Sequence, residues 1–182
     1  MKELSLNVLD IAENSVKAQA SLIEISISET DTQMSITIKD NGRGMTKETL
    51  ESVTNPFYTT RTTRKVGMGI PLFKFAAEQT GGSLSIASTH VDDDPEFHGT
   101  TLVALLHKDH IDFTPLGDII SSIITLIQGH PDVDFLFTHK SDVLCVSLDT
   151  RDMRAVLDDI PLDSYEVLEW IKDNLTEQYD RI

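Results

Sequence analysis

The chain has 182 residues, 40% of them apolar and 25% charged, which suits one full domain, or one domain with a small appendage, around a buried core and excludes a disordered chain. Fifteen Lys and Arg against thirty Asp and Glu leave a net charge of −15, which argues against non-specific binding to nucleic acid or to an anionic membrane. No apolar run reaches the roughly 18 residues that span a bilayer.

The start, "MKELSLNVLD", is interrupted by Glu3 and Asp10 and carries no secretory pattern. Cys145 is the only cysteine and has no disulfide partner within the chain. A cytoplasmic protein is expected on these grounds. The charge is uneven, because residues 39–74 hold seven bases and three acids, a net +4 in a chain whose remainder is −19. A basic segment in an acidic chain predicts a small, local anion.

A first helix is expected from about Leu4 to Gln19. Within it Asp10, Glu13, Asn14 and Lys17 recur at i, i+3, i+4 and i+7 and so share one face. That face is either a site or an exposed surface carrying a Glu13–Lys17 ion pair. "LIEISIS" and "MSITIK" alternate strictly and read as two half-buried strands joined by a hairpin loop, "ETDTQ".

The turn "DNGRGM" follows the second strand directly. Gly42 and Gly44 let the chain pass close to a flat ligand, and Asp40 ends a buried strand as a poorly solvated carboxylate suited to an exocyclic amine. The plainer alternative is a tight turn in which Asp40 bonds its own backbone. "TKETLESV" reads as a short helix capped by Thr46, and residues 54–67 as a loop.

"GMGIPLFKFAAEQTGG" opens a helix with Pro71 in its first turn and Gly81 at its end. Free N–H groups and the positive end of the dipole make a phosphate seat at such a start, and Arg61, Arg64 and Lys65 lie just upstream. A solvated basic loop is the alternative. Strands "SLSIAS" and "GTTLVALLHK" follow, so the order is that of helices covering one face of a mainly antiparallel sheet.

After His110 the pattern restarts. A helix is expected near Leu116–Gln128, capped by Thr114 and Pro115, then strands "VDFLFTH" and "VLCVSLD" and two more helices. The expected division is residues 1–110 and a small α/β piece, 111–182, suited to binding a partner. The long apolar "LGDIISSIITLIQG" is either a docking helix or a core helix.

Taken in order, "LDIAENSVKA", "DNGRGM", "PFYTT…VGMGI…GGSLSI" and "GTTLVALL" resemble the asparagine box, the two glycine boxes and the final glycine–threonine strand of the GHKL ATPase superfamily. The resemblance covers roughly residues 4–107 and implies an α+β, Bergerat-type sandwich that binds ATP with Mg²⁺. It implies that Asn14 ligates Mg²⁺ and that Asp40 reads the adenine amino group. Gly42, Gly44 and Met45 would border the adenine pocket. Lys17, the lid residues Thr59, Thr60, Arg61 and Lys65, and Gly67, Met68, Gly69 and Ile70 would lie at the phosphates, with Thr101 near the adenine through water.

Asp10 stands where mismatch-repair ATPases carry a catalytic glutamate four residues before the asparagine, a base of the same chemistry on a shorter arm. Lys17 and the short lid are more like histidine kinases. Only a few residues precede the asparagine box, so an acceptor helix is not expected there, and His110 in "HIDFTPL" lacks the acid that should follow an acceptor histidine. The implied activity is phosphoryl transfer like that of anti-sigma serine kinases, or ATP hydrolysis, with a protein partner or phosphoacceptor and a homodimer left open. The alternative is a non-catalytic, ATP-dependent interaction module.

Overall fold

The computed structural model describes residues 3–54 and 68–181. Helix α1 (Leu4–Lys17) leads into strands β1 (Leu22–Glu29) and β2 (Gln33–Asp40), then α2 (Lys47–Thr54) and α3 (Gly69–Gln79). Strands β3 (Ser83–Thr89) and β4 (Gly99–His107) come next, then α4 (Ile119–Gly129), β5 (Asp134–Lys140), β6 (Cys145–Asp149), α5 (Thr150–Leu157) and α6 (Tyr165–Asp180). The expected strands and helices stand in the expected order.

The six strands form one sheet in the order β3-β4-β2-β1-β5-β6. All its pairings are antiparallel except β1 with β5. Period-two alternation decides which face is buried. Ile23, Ile25 and Ile27 of β1 lie beside Met34, Ile36 and Ile38 of β2, and Leu102, Ala104 and Leu106 of β4 extend the same surface. Phe135 and Phe137 continue it through β5, and Val146 and Leu148 through β6. Helices α1 and α3 cover that face over β1 to β4, α6 packs on β6 and α4 packs against α1 and α6, while Ser26, Ser28, Lys39 and Ser147 hold exposed positions on the other.

The expected boundary at residue 110 marks a change of pattern, not of sheet. Residues Leu22–Ser28 pair in parallel with Asp134–Lys140, so the C-terminal elements extend the same sheet and core. The first N–H groups of α1 reinforce the join, because those of Leu4 and Ser5 donate to the carbonyls of Pro115 and Leu116 at 2.9 and 2.8 Å.

Helix α4 starts later than expected. Its cap is Asp118, whose carboxylate accepts from the Ser121 N–H at 2.9 Å and from the Ser121 hydroxyl at 2.6 Å; Thr114 and Pro115 lie outside the helix. Ile119, Ile123, Leu126 and Ile127 are buried, so this apolar segment is a core helix.

Candidate functional site

The strand end that carries Asp40 is closed around its carboxylate. Ser15 Oγ of α1 donates to Oδ2 at 2.6 Å, while the backbone N–H groups of Gly42 and Thr100 donate to Oδ1 at 2.9 and 3.2 Å. Asp40 is buried, and these three donors offset the desolvation of a charged group. Two carboxylate oxygens offer about four lone-pair sites, so room for one further donor is left. The tight turn with a backbone-bonded aspartate is thus real, and it coexists with a carboxylate available to a ligand.

Two glycines permit this closure. Gly44 sits at φ +70°, and a Cβ on Gly99, at φ +132°, would fall 2.0 Å from the Asp40 carbonyl oxygen. The turn is locked further by Ser88, whose Oγ accepts from the Met45 N–H at 2.8 Å and lies 2.8 Å from Thr100 Oγ1.

The polar face of α1 resolves into different roles. Glu13 does not pair with Lys17; its Oε1 meets His130 Nε2 at 2.8 Å, tying α1 to the turn after α4. Asn14 and Lys17 line a cleft of about 450 Å³. Neither side chain has a hydrogen-bond or ion-pair partner among the described residues. Asp10 is exposed and packs against the start of α3, where a Cβ on Gly69 would come 3.1 Å from its own Cβ. Among the described residues no side chain caps the N-terminus of α3, where Gly69 and Ile70 carry the first N–H groups and Pro71 has none.

The cleft brings together Asn14, Lys17, Asp40, Gly44, Met45 and Ile70 from the expected set, between α1, β2, β4 and α3. Gly42 supports the site from behind through Asp40. Met68 is exposed and is not part of the lining. Thr59, Thr60, Arg61, Lys65 and Gly67 lie outside the described residues.

Thr101 is not in the cleft lining. It pairs with Lys39, whereas Thr100 pairs with Asp40 and lines the cleft. The signal was present, since Leu102, Ala104 and Leu106 define the buried parity of β4 and Thr100 shares it. Ser15 was also missed. It completes the buried stripe of Val8, Ile11 and Ala12 at i, i+3, i+4 and i+7, where a serine needs a polar partner. Among the described residues no group of His, Cys, Asp and Glu is arranged to hold a metal ion, and no helix is long and apolar enough to cross a membrane.

A cleft of this build, at the strand ends of a mixed sheet covered by helices on one face, is that of an ATP-binding domain of the GHKL type. Sequence carries the same assignment: residues 2–110 match the family of histidine kinase-, DNA gyrase B-, and HSP90-like ATPases, and the chain belongs to it.

The sensor histidine kinase ZraS of Escherichia coli is 29% identical over 83 residues, or 44% of this chain and 18% of ZraS. Sporulation kinase C of Bacillus subtilis is 29% identical over 90 residues, or 48% of this chain and 20% of that kinase. The chain thus spans about a fifth of the length of these curated relatives. In structure, the ADP-complexed MutL ATPase domain of Aquifex aeolicus shares the fold with a TM-score of 0.54 at 14% identity, over 98% of this chain and 70% of that one. That likeness extends through the C-terminal elements.

Proposed function

We propose that the chain binds ATP as its magnesium complex in this cleft and transfers the terminal phosphoryl group to a protein acceptor or to water. One observation carries the reading. A buried, triply held carboxylate shares a cleft with an amide and a lysine that have no partner among the described residues. Polar groups gathered without partners are what a charged, polar ligand requires.

The residues fit such a ligand. Asp40 has one acceptor site left for the amino group of adenine. The Asn14 side-chain oxygen is a hard donor of the kind Mg²⁺ takes one or two of, with waters completing its shell. Lys17 supplies a cation to phosphate, and the start of α3, which no described side chain caps, supplies N–H donors and the positive end of a dipole. Bound there, the metal would neutralise phosphate charge. Asp10, beside Gly69, serves as the base that orients a water or an acceptor hydroxyl.

The kinase names of the relatives and the lysine at position 17 support transfer to a protein, as in anti-sigma serine kinases. The acid at position 10 supports hydrolysis. Single-turnover incubation with γ-labelled ATP separates the two: label on a protein acceptor marks a kinase, and free phosphate an ATPase. ATP bound but unchanged would leave a non-catalytic interaction module and sink the reading. Asp10→Asn is expected to lower turnover about 100-fold with ATP affinity retained. Unchanged turnover would remove Asp10 from the role.

A further inference from the structure

Helices α5 and α6 flank a second cleft, of about 730 Å³, on the part of the chain that follows β6. Its walls are Met153, Val156 and Leu157 of α5, Ile160 of the connection, and Val167 and Trp170 of α6. Of α5 only Thr150 is fully buried; Met153 and Leu157 are half-buried against the core, and Val156 is left outside it. Val156 is 85% exposed, and Ile160 and Trp170 are each 55% exposed. Apolar residues scattered singly on a surface need no explanation; a valine, an isoleucine and a tryptophan grouped around one groove do.

The charge around the groove narrows what fits. From Asp152 to Trp170 the sequence has six acids, Asp152, Asp158, Asp159, Asp163, Glu166 and Glu169, and one base, Arg154. Arg154 is already spent. Its Nε donates to Asp134 Oδ1 at 2.8 Å, and its guanidinium also reaches the Val133 carbonyl at 3.2 Å. Asp152 and Glu166 stand on the groove itself. A second copy docking here would bring acid against acid, and anionic lipid or nucleic acid would be repelled as well.

We infer that the α5–α6 groove is a docking site for an amphipathic helix of a partner protein, one with an apolar stripe flanked by Lys and Arg. Two helices form the walls, an aromatic side chain offers the anchor, and the acidic rim selects the sign of the partner's charge. The groove lies apart from the cleft of Asp40 and shares no residue with it. The inference therefore stands whether or not phosphoryl transfer does.

Trp170 is the only tryptophan, so its fluorescence reports on the groove directly. The full chain is titrated with an 18-residue amphipathic peptide of Leu and Lys, and separately with its Leu and Glu counterpart. The Leu/Lys peptide is expected to shift the emission to the blue and to bind at least tenfold tighter than the Leu/Glu peptide. Raising salt should weaken it several-fold. Val156→Asn keeps the charge of an exposed position and should weaken binding about tenfold; Asp152→Asn with Glu166→Gln should weaken it several-fold.

Equal binding of both peptides, or binding indifferent to Val156→Asn, would overturn the inference. So would self-association in sedimentation that Val156→Asn abolishes, or a Trp170 shift on anionic vesicles without peptide, since these assign the groove to a second copy or to lipid.

Discussion

Two buried polar clusters occupy the same face of the sheet at opposite ends, and they are built differently. Asp40 pairs in register with Ile23, at one end of β1, and Glu29 closes the other end, about 20 Å away at the rise of a strand. At the Glu29 end every group is paired. Glu29 Oε1 meets His139 Nε2 at 2.8 Å, Lys108 Nζ donates to Oε2 at 2.6 Å, and Tyr179 Oη lies 2.8 Å from His139 Nδ1.

A carboxylate only accepts, so Nε2 carries the proton and Nδ1 accepts from the tyrosine hydroxyl. Burial pushes the Tyr179 phenol up, which keeps it a donor, and pushes His139 below its ordinary value, against the opposing pull of Glu29. This cluster ties β1, β5, α6 and the residue after β4 together and leaves none of its four side chains without a partner. At the Asp40 end the carboxylate is held but Asn14 and Lys17 are free among the described residues. The difference suggests a way to tell structural polarity from a candidate site: a closed network stabilises, and an unfinished one is where a ligand is proposed.

Mutations that act on one end and spare the other test the contrast. The largest effect is expected from Asp40→Asn, which keeps the shape and removes the charge. ATP affinity, read by calorimetry, should fall about 10- to 100-fold, the worth of a hydrogen bond to a charged group. Unfolding by denaturant should shift much less, and an unchanged affinity would remove Asp40 from the site.

Ser15→Ala takes away one of the three donors on Asp40 and should cost ATP affinity several-fold, by the same measurement. At the other end Tyr179→Phe leaves the imidazole nitrogen without its donor. It is expected to lower stability by about 1 kcal/mol in chemical unfolding while leaving ATP affinity unchanged. A loss of ATP affinity there would break the contrast.

The smallest effect is on pH. His139 binds its proton less readily folded than unfolded, where its ordinary value is 6.5. Its contribution is therefore whole above that value and is lost as pH falls through it towards the lower folded-state value. The wild type should lose more stability between pH 7.5 and 5.5 than His139→Gln does, and equal losses would show that another group governs this range.

Much of the site was legible because it rests on local pattern. Strand alternation placed Asp40 on the buried face, helical spacing put Asn14 and Lys17 on one side of α1, and "GMGIPLF" marked a helix start. Parity in β4 was legible too, and pointed to Thr100 where the family resemblance suggested Thr101. Ser15 was half legible. Its place on an apolar stripe announced a partner without saying which.

The rest was out of reach for a physical reason. Periodicity encodes which side of an element is buried, and nothing in it says which elements become neighbours. Only packing set β5 parallel beside β1, Leu22 against Asp134, joined His139 to Glu29, and turned Glu13 from Lys17 to His130. Burial in the shared core likewise decided that the apolar side of α4 is covered while Val156 of α5 is left exposed. The chain's own pattern determined its elements, their faces and the chemistry at each strand end. The tertiary structure decided which of those polar groups were used up on each other and which were left for something else, because that depends on who stands within 3 Å of whom.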